Sequence, residues 1–103
     1  MQTAFNTSAH AHPSIFLRDA DIVAAIDATM LRRRAEYAGQ PMAWSVYCEA
    51  SHVATLCDPL RQAFITHVAK ERGADIALRL QARAEAIRAA AVAGCMAQAV
   101  GTA

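Results

Sequence analysis

Two cysteines and two histidines are the residues of this chain whose types could support catalysis or metal binding. They are Cys48, His52, Cys57 and His67, with the spacing C-x3-H-x4-C-x9-H. Cys48 and His52 are four residues apart and could both reach one ion from a helix. The full spacing matches no common zinc pattern, and Cys57 is predicted on a different helix face from Cys48. We therefore expect a thiol and a hydrogen-bonded imidazole with structural roles, and no bound metal or cofactor.

The same residues could also form a cysteine nucleophile with a histidine base. Cys48 would then be activated by His52, and Glu49 would orient the imidazole. Adjacent residues on a helix point about 100° apart, so Glu49 is poorly placed to orient His52 while both serve Cys48. The sequence therefore favours a protein that is not an enzyme.

Glu49 is instead predicted to have a structural role, because it falls within the apolar stripe of the second predicted helix. That stripe consists of Met42, Val46, Val53 and Leu56. A carboxylate buried there needs a partner, since an unpaired buried charge is very costly. Arg61, Arg72 and His67 on the next helix are the candidate partners. We predict a structural ion pair of Glu49 with Arg61 or Arg72, which fixes the second helix against the third.

Arginines are the candidates for contacts with nucleic acid. Arg32, Arg33 and Arg34 are consecutive, so on a helix they fan out around the axis, and they are placed to offset the negative end of the helix dipole. Arg79 and Arg83 could line one side of the last helix and contact phosphates. The formal net charge is only +1, which is not the basic excess of a dedicated nucleic-acid binder. Nucleic-acid binding is therefore the alternative function.

Apolar residues recur at helical spacing, and no alternating strand pattern occurs, which predicts an all-α protein. The first helix is predicted to start with Asp19 as N-cap and to stop at Gly39 and Pro41. Asp58, as N-cap, and Pro59 should end the second helix and begin the third, which ends at Gly73. Its inward residues are predicted to be Leu60, Phe64 and Val68, and those of the first helix Ile22, Ile26, Met30 and Tyr37. The expected architecture is a small four-helix bundle.

The fourth helix should be the longest, from near Asp75 to about Val100, and it is predicted to extend beyond the core. Its inward stripe is predicted to be Ile76, Leu80, Ala84, Ile87, Ala91 and Cys95. Beyond Arg88, Val92 and Met96 lie nearly opposite Ala91 and Cys95, so this end is apolar or small all round. Such a helix is normally buried on more than one side. We predict an interface formed by Ala91, Val92, Cys95 and Met96, and a homodimer.

The length of 103 residues allows one small domain. Residues 1–13 are small and polar and are predicted to form a flexible N-terminal arm, which leaves residues 14–103 as a single α-helical domain. The odd number of cysteines and the absence of a signal-like N-terminal segment favour reduced thiols. No apolar run approaches the roughly 20 residues that span a bilayer. We expect a protein of the bacterial cytoplasm with no membrane partner.

One stretch of the chain carries a recognisable signature. It begins at Tyr47-Cys48-Glu49-Ala50-Ser51-His52-Val53 and continues through Asp58-Pro59 to Glu71-Arg72-Gly73-Ala74. This stretch resembles a family of short uncharacterised helical proteins from phages and prophages of Proteobacteria. In that family a Cys-Glu-x-x-His-Val segment precedes a Leu-Pro break and a helix that ends in Arg-Gly, whereas the break here is Leu56-Cys57-Asp58-Pro59. The resemblance implies a phage-like origin and no particular activity.

These features together favour a small intracellular protein-binding module without enzymatic activity. Phages commonly use small proteins as stoichiometric inhibitors, so by analogy we expect this protein to modulate or inhibit a host protein complex. A defence system such as a CRISPR effector complex is one candidate target, in which case the protein would be an anti-CRISPR. The alternative is a small nucleic-acid-binding regulator that uses an arginine face.

Overall fold

A computed structural model describes the backbone of residues 18–101 and the side chains of residues 18–98. This part of the chain forms four α-helices and one 3-10 turn, with no strand: α1 (Asp19–Arg33), the 3-10 turn (Arg34–Tyr37), α2 (Pro41–Thr55), α3 (Asp58–Arg72) and α4 (Ala74–Gly101). The predicted all-α, four-helix bundle with a long C-terminal helix is confirmed. The arm predicted at residues 1–13 lies outside the described residues.

Proline and glycine set the boundaries of α2 and α3. Pro41 and Pro59 lie in the first turns of these helices, where the missing proline N–H removes no helical hydrogen bond. Gly73 joins α3 to α4 as a single residue with φ +105°, a conformation that residues with a Cβ rarely adopt. These three boundaries are where the sequence predicted them.

The two predicted N-caps are each wrong by one residue. Arg18 and Cys57 occupy the N-cap positions, and Asp19 and Asp58 are the first helical residues. An aspartate in the first helical turn is stabilised by the positive end of the helix dipole without acting as the cap itself. The helices therefore begin one residue earlier than a capping aspartate would allow.

α4 is the central element, because it packs against all three other helices. Residues of α3 face α4 around Gln81 and Glu85, and α1 faces its second half from Ile87 to Gln98. α2 packs mainly on α4 and α1 and makes fewer contacts with α3. The arrangement is a long helix with the other three grouped along it.

The core is small because many of its members are small. It consists of Ile22, Ile26, Ala50, Val53, Ala54, Val68, Ala77, Leu80, Ala84 and Ala91. Five of these ten residues are alanine, which lets helix axes approach closely but buries little apolar area per residue. The molecule measures 46 × 32 × 18 Å with a radius of gyration of 16.4 Å, whereas a compact domain of this size would have about 12 Å. The bundle is therefore flat and leaves helix faces uncovered.

The apolar stripe predicted for α2 is wrong in register. Val53 is buried, but Met42 is 78% exposed and Val46 also lies at the surface. The buried face of α2 consists of Tyr47, Ala50, Ser51, Val53 and Ala54. Three of these five residues are small, which allows close packing of α2, and Met42 and Val46 lie outside the contact. This face includes the hydroxyl of Ser51, which is buried and has no hydrogen-bond partner among the described residues.

The stripes predicted for the other helices are correct in part. Ile22 and Ile26 are buried in α1, Val68 in α3, and Leu80 with Ala84 in α4. Other residues that were predicted to face inward are not buried. Those that are half-buried include Met30, Tyr37, Phe64 and Ile87, and those that are exposed are Leu60 and Ile76. Ala77 takes the inward position that was predicted for its neighbour Ile76. As in α2, the smaller residue lies at the helix contact.

Candidate interaction surface

The second half of α4 presents an apolar surface that no other described part of the chain covers. It consists of Ala89, Val92, Ala93 and Met96, and it is called the α4 face below. Steps of three and four place these residues on one side of the helix. They line a shallow groove of about 440 Å³ whose polar edge is formed by Arg61, Glu85 and Arg88. Met96 is 54% exposed, and Val92 is half-buried with part of its side chain against the core.

The predicted interface needs correction for two of its four residues. Ala91 is buried, and the Cys95 Sγ lies 3.8 Å from the Asp21 carbonyl oxygen of α1. Both residues therefore belong to the contact between α1 and α4 within the chain. Val92 and Met96 lie on the side that α1 leaves open. Ala89 and Ala93 were not among the four predicted interface residues, although their spacing from Val92 and Met96 would have indicated them.

Arg88 connects three helices at the edge of the α4 face. Its Nη1 donates a hydrogen bond of 2.8 Å to the Ala54 carbonyl oxygen at the end of α2. Its Nη2 lies 2.6 Å from Asp19 Oδ1 at the start of α1, and the Arg88 side chain is only 17% exposed. A guanidinium at the carboxyl end of a helix satisfies a free carbonyl and offsets the helix dipole. Sequence analysis did not identify Arg88, because both partners are distant in the chain.

Arg61 supports the same end of α2. Its Nη1 donates a hydrogen bond of 2.7 Å to the Leu56 carbonyl oxygen, and its Nη2 contacts the Asp58 carboxylate. The predicted pairing of Arg61 with Glu49 is therefore wrong, because this guanidinium is held at the turn between α2 and α3. Arg61 and Arg88 thus hold the edge of the α4 face in place.

Glu49 contacts Arg72, the other predicted partner. Arg72 Nη2 lies 2.5 Å from Glu49 Oε2, and Nη1 lies 3.3 Å from Oε1. This bidentate hydrogen bonding raises the pKa of the Arg72 guanidinium above its ordinary value. The side chains are 42% and 35% exposed, so the expected burial of Glu49 is wrong. A pair this open to solvent links α2 to the end of α3 but contributes little stability.

Arg33, the central residue of the arginine triplet, contacts other side chains of the same chain. Its guanidinium carbon lies 5.1 Å from the centroid of the Tyr47 ring and 5.8 Å from that of Tyr37. Its Nε donates a hydrogen bond of 3.2 Å to Glu36, which raises the pKa of Arg33. Tyr37, Tyr47 and Trp44 form an aromatic cluster with centroid distances of 5.4 to 5.9 Å. This cluster attaches the 3-10 turn to α2.

The candidate phosphate-binding arginines are exposed. Arg79 and Arg83 lie four residues apart on the first half of α4, so they share one side of that helix. Arg79, in the second turn of α4, lines the same surface depression as Arg72 at the end of α3. Asp75 lines this depression as well. Two neighbouring guanidiniums beside a carboxylate form only a small positive surface.

The cysteine and histidine set does not assemble into a site. In the part of the chain that the structure describes, no three His, Cys, Asp or Glu side chains are grouped so that they could hold a metal ion. The His52 ring packs edge-on against Phe64, with 5.8 Å between the centroids. Cys48 is half-buried, and Cys57 is exposed at the start of α3. Their positions are those of structural and surface residues.

A second depression lies between α1 and the opposite side of α4. It has a volume of about 530 Å³, and small residues form much of its walls, including Ala25, Ala28, Ala90 and Gly94. Arg32 and Arg33 lie at one end, and Arg33 is already held by Glu36 and the two tyrosines. This depression lies between α1 and α4, and Arg32 also makes a contact within α1, with the Thr29 hydroxyl.

None of the helices among the described residues is both long enough and apolar enough to cross a bilayer.

Comparison with known proteins places the chain in a family but assigns it no activity. Residues 37–91 match DUF7696, a family of unknown function. The chain matches no curated protein, and it matches no solved structure. The matched segment includes α2, α3 and the first part of α4, whereas α1 and the residues from Val92 onward lie outside it. Since more than half of the sequence matches, the chain belongs to the DUF7696 family.

Proposed function

We propose that this member of the DUF7696 family is a protein-binding module without enzymatic activity, and that the α4 face is its binding surface. The observation that supports this most directly is the exposure of Met96 beside Val92 on a helix whose other side is buried. Apolar centres with polar edges are typical of protein interfaces. The α4 face has this composition, with Arg61, Glu85 and Arg88 at its edge.

A second copy of the chain is the partner we propose. In an antiparallel pair centred between positions 92 and 93, Met96 lies opposite Ala89 of the second copy, and Val92 lies opposite Ala93 of the second copy. Each large side chain then meets a small one, and the two-fold symmetry repeats both contacts. Helices usually pair when rows of side chains on one helix pack into the grooves between such rows on the other.

The small size of the α4 face limits the strength of this dimer. A stable interface of standard size buries about 800 Å² on each partner, which is more than four residues, two of them alanine, supply. We therefore propose a reversible dimer that dissociates on dilution. A helix of a host protein could occupy the same face through the same contacts. The resemblance to phage proteins supports such a partner, whose activity would then be modulated by stoichiometric binding.

The arrangement of the arginines supports protein binding over nucleic-acid binding. Arg33, Arg61, Arg72 and Arg88 make contacts within the chain. The formal net charge of the sequence is +1, so little positive surface is left for a phosphate backbone. A mobility-shift experiment with duplex DNA at physiological salt tests the alternative, because tight and steeply salt-dependent binding would favour the nucleic-acid regulator.

Light scattering over a range of protein concentrations tests the dimer. We expect the wild-type mass to rise with concentration and the double variant Ala93→Glu, Met96→Glu, which changes two exposed residues of the α4 face, to remain a folded monomer. The matched control is Leu31→Glu with Met42→Glu, which adds the same charge at two exposed apolar positions elsewhere. This control should associate like the wild type. A wild type that is monomeric at high micromolar concentration would refute the second copy as partner.

A further inference from the structure

The chain enters α1 beside the α4 face. Asp19 Oδ1 lies 2.6 Å from Arg88 Nη2, and Arg88 forms part of the edge of that face. Arg18 has an extended backbone, with φ −84° and ψ 149°, so the chain departs from the α1 axis at this residue. The described chain therefore begins at the edge of the groove.

The three residues immediately before Arg18 are apolar. They are Ile15, Phe16 and Leu17. An extended chain advances about 3.4 Å per residue, so Ile15 can lie up to roughly 14 Å from Asp19. The distance along α4 from Arg88 to Met96 is about 12 Å at 1.5 Å per residue. The segment thus has the length needed to follow the α4 face.

We infer that residues 15–17 bind the α4 face of their own molecule, with Phe16 against Val92 and Met96. An aromatic ring beside a methionine sulfur is a favourable contact in addition to the apolar area that it buries. The depression on the other side of α4 is a poorer site for this segment. Its α1 wall begins at Ala25, about 10 Å further along α1 than Arg18, so the chain would have to turn back along the helix.

Binding of this segment regulates self-association, and this consequence rests on the proposed function of the α4 face. A second copy can pair only when the segment is displaced. Both copies must release the segment before they can pair, so if it occupies each face for about 70% of the time, the apparent dissociation constant of the dimer is raised about tenfold. Residues 15–17 are then an internal competitor of the partner.

Methyl NMR of the full-length chain, labelled at methionine methyl groups and kept dilute enough to be monomeric, tests the binding of the segment. Phe16→Leu should shift the Met96 methyl resonance, because the ring current of Phe16 is lost while the apolar contact remains. Phe5→Leu is the matched control and should leave that resonance unchanged. A Met96 resonance that is the same in wild type and in Phe16→Leu would overturn the inference.

Light scattering of Phe16→Asp tests the regulatory role. The variant should dimerise with an apparent dissociation constant about tenfold lower than the wild type, and Phe5→Asp should not differ from the wild type. An unchanged constant would contradict competition. If the Met96 methyl shift occurs but no variant dimerises, the segment binds as inferred and the proposed dimer is wrong. If the dimer forms and the methyl resonance does not change, the dimer stands and the inference about the segment is wrong.

Discussion

Replacing Arg88 by methionine should destabilise the fold by about 2 kcal/mol. Methionine keeps much of the apolar stem, so the change removes mainly the guanidinium. The hydrogen bond to the Ala54 carbonyl oxygen involves a charged donor, and such bonds contribute about 1.5–3 kcal/mol. The contact with Asp19 adds little, because the Asp19 side chain is 61% exposed and exposed ion pairs are weak.

Thermal unfolding followed by circular dichroism measures this loss. For a domain of 60–100 residues, 1 kcal/mol corresponds to about 4–8 °C in Tm, so Arg88→Met should lower Tm by roughly 8–16 °C. Arg83→Met is the matched control, since Arg83 is exposed on the same helix, and its Tm should stay close to that of the wild type. Asp19→Asn removes the charge of the other partner and should also have a small effect.

Two results would refute this reasoning. Equal Tm values for Arg88→Met and Arg83→Met would mean that the bond to the Ala54 carbonyl oxygen does not stabilise the fold. If Asp19→Asn caused the whole loss by itself, the ion pair and not the carbonyl contact would be the source of the stability.

The remaining predictions concern two polar residues of α2. Ser51→Ala should raise Tm, because it removes a buried hydroxyl that has no hydrogen-bond partner among the described residues and because alanine favours the helix. A lower Tm would show that Ser51 does make a hydrogen bond in solution. Glu49→Gln should leave Tm almost unchanged at moderate salt, because the pair with Arg72 is open to solvent. A large loss of stability on this change would mean that the pair is desolvated.

Much of the fold could be predicted from the sequence, because its boundaries depend on local chemistry. Pro41, Pro59 and Gly73 determine where helices begin and end through their own backbone restrictions. Helical spacing of apolar residues also identified α4 as the longest element. These signals require no knowledge of which helix packs against which.

The buried faces were harder to predict, because a quarter of the chain is alanine and the faces of a helix differ little in polarity. In α2 the predicted stripe followed large apolar residues such as Met42 and Val46, whereas the contact is made through Ala50 and Ala54. Close approach of the helices selects small side chains there. In α2 and at the start of α4, residue size contributes to which face is buried, and patterns of polarity do not report it.

Only two of the four predicted interface residues lie on the α4 face. The sequence showed that α4 is apolar all round near Val92 and Met96, but it did not show which side α1 covers. That depends on contacts such as Arg88 with Asp19, which are 69 residues apart in the chain. Helical periodicity carries no information about such pairs.

Most of the α4 face lies outside the segment that matches the family. The match ends at residue 91, so Ala89 lies inside it and Val92, Ala93 and Met96 lie beyond it. α1 precedes the matched segment, yet Ile26 is almost fully buried and Asp19 contacts Arg88, so in this chain α1 is part of the fold. The residues outside the match therefore both complete the core and form the proposed binding surface. We expect the matched segment to act as the common scaffold, and partner choice to be determined by the residues on either side of it.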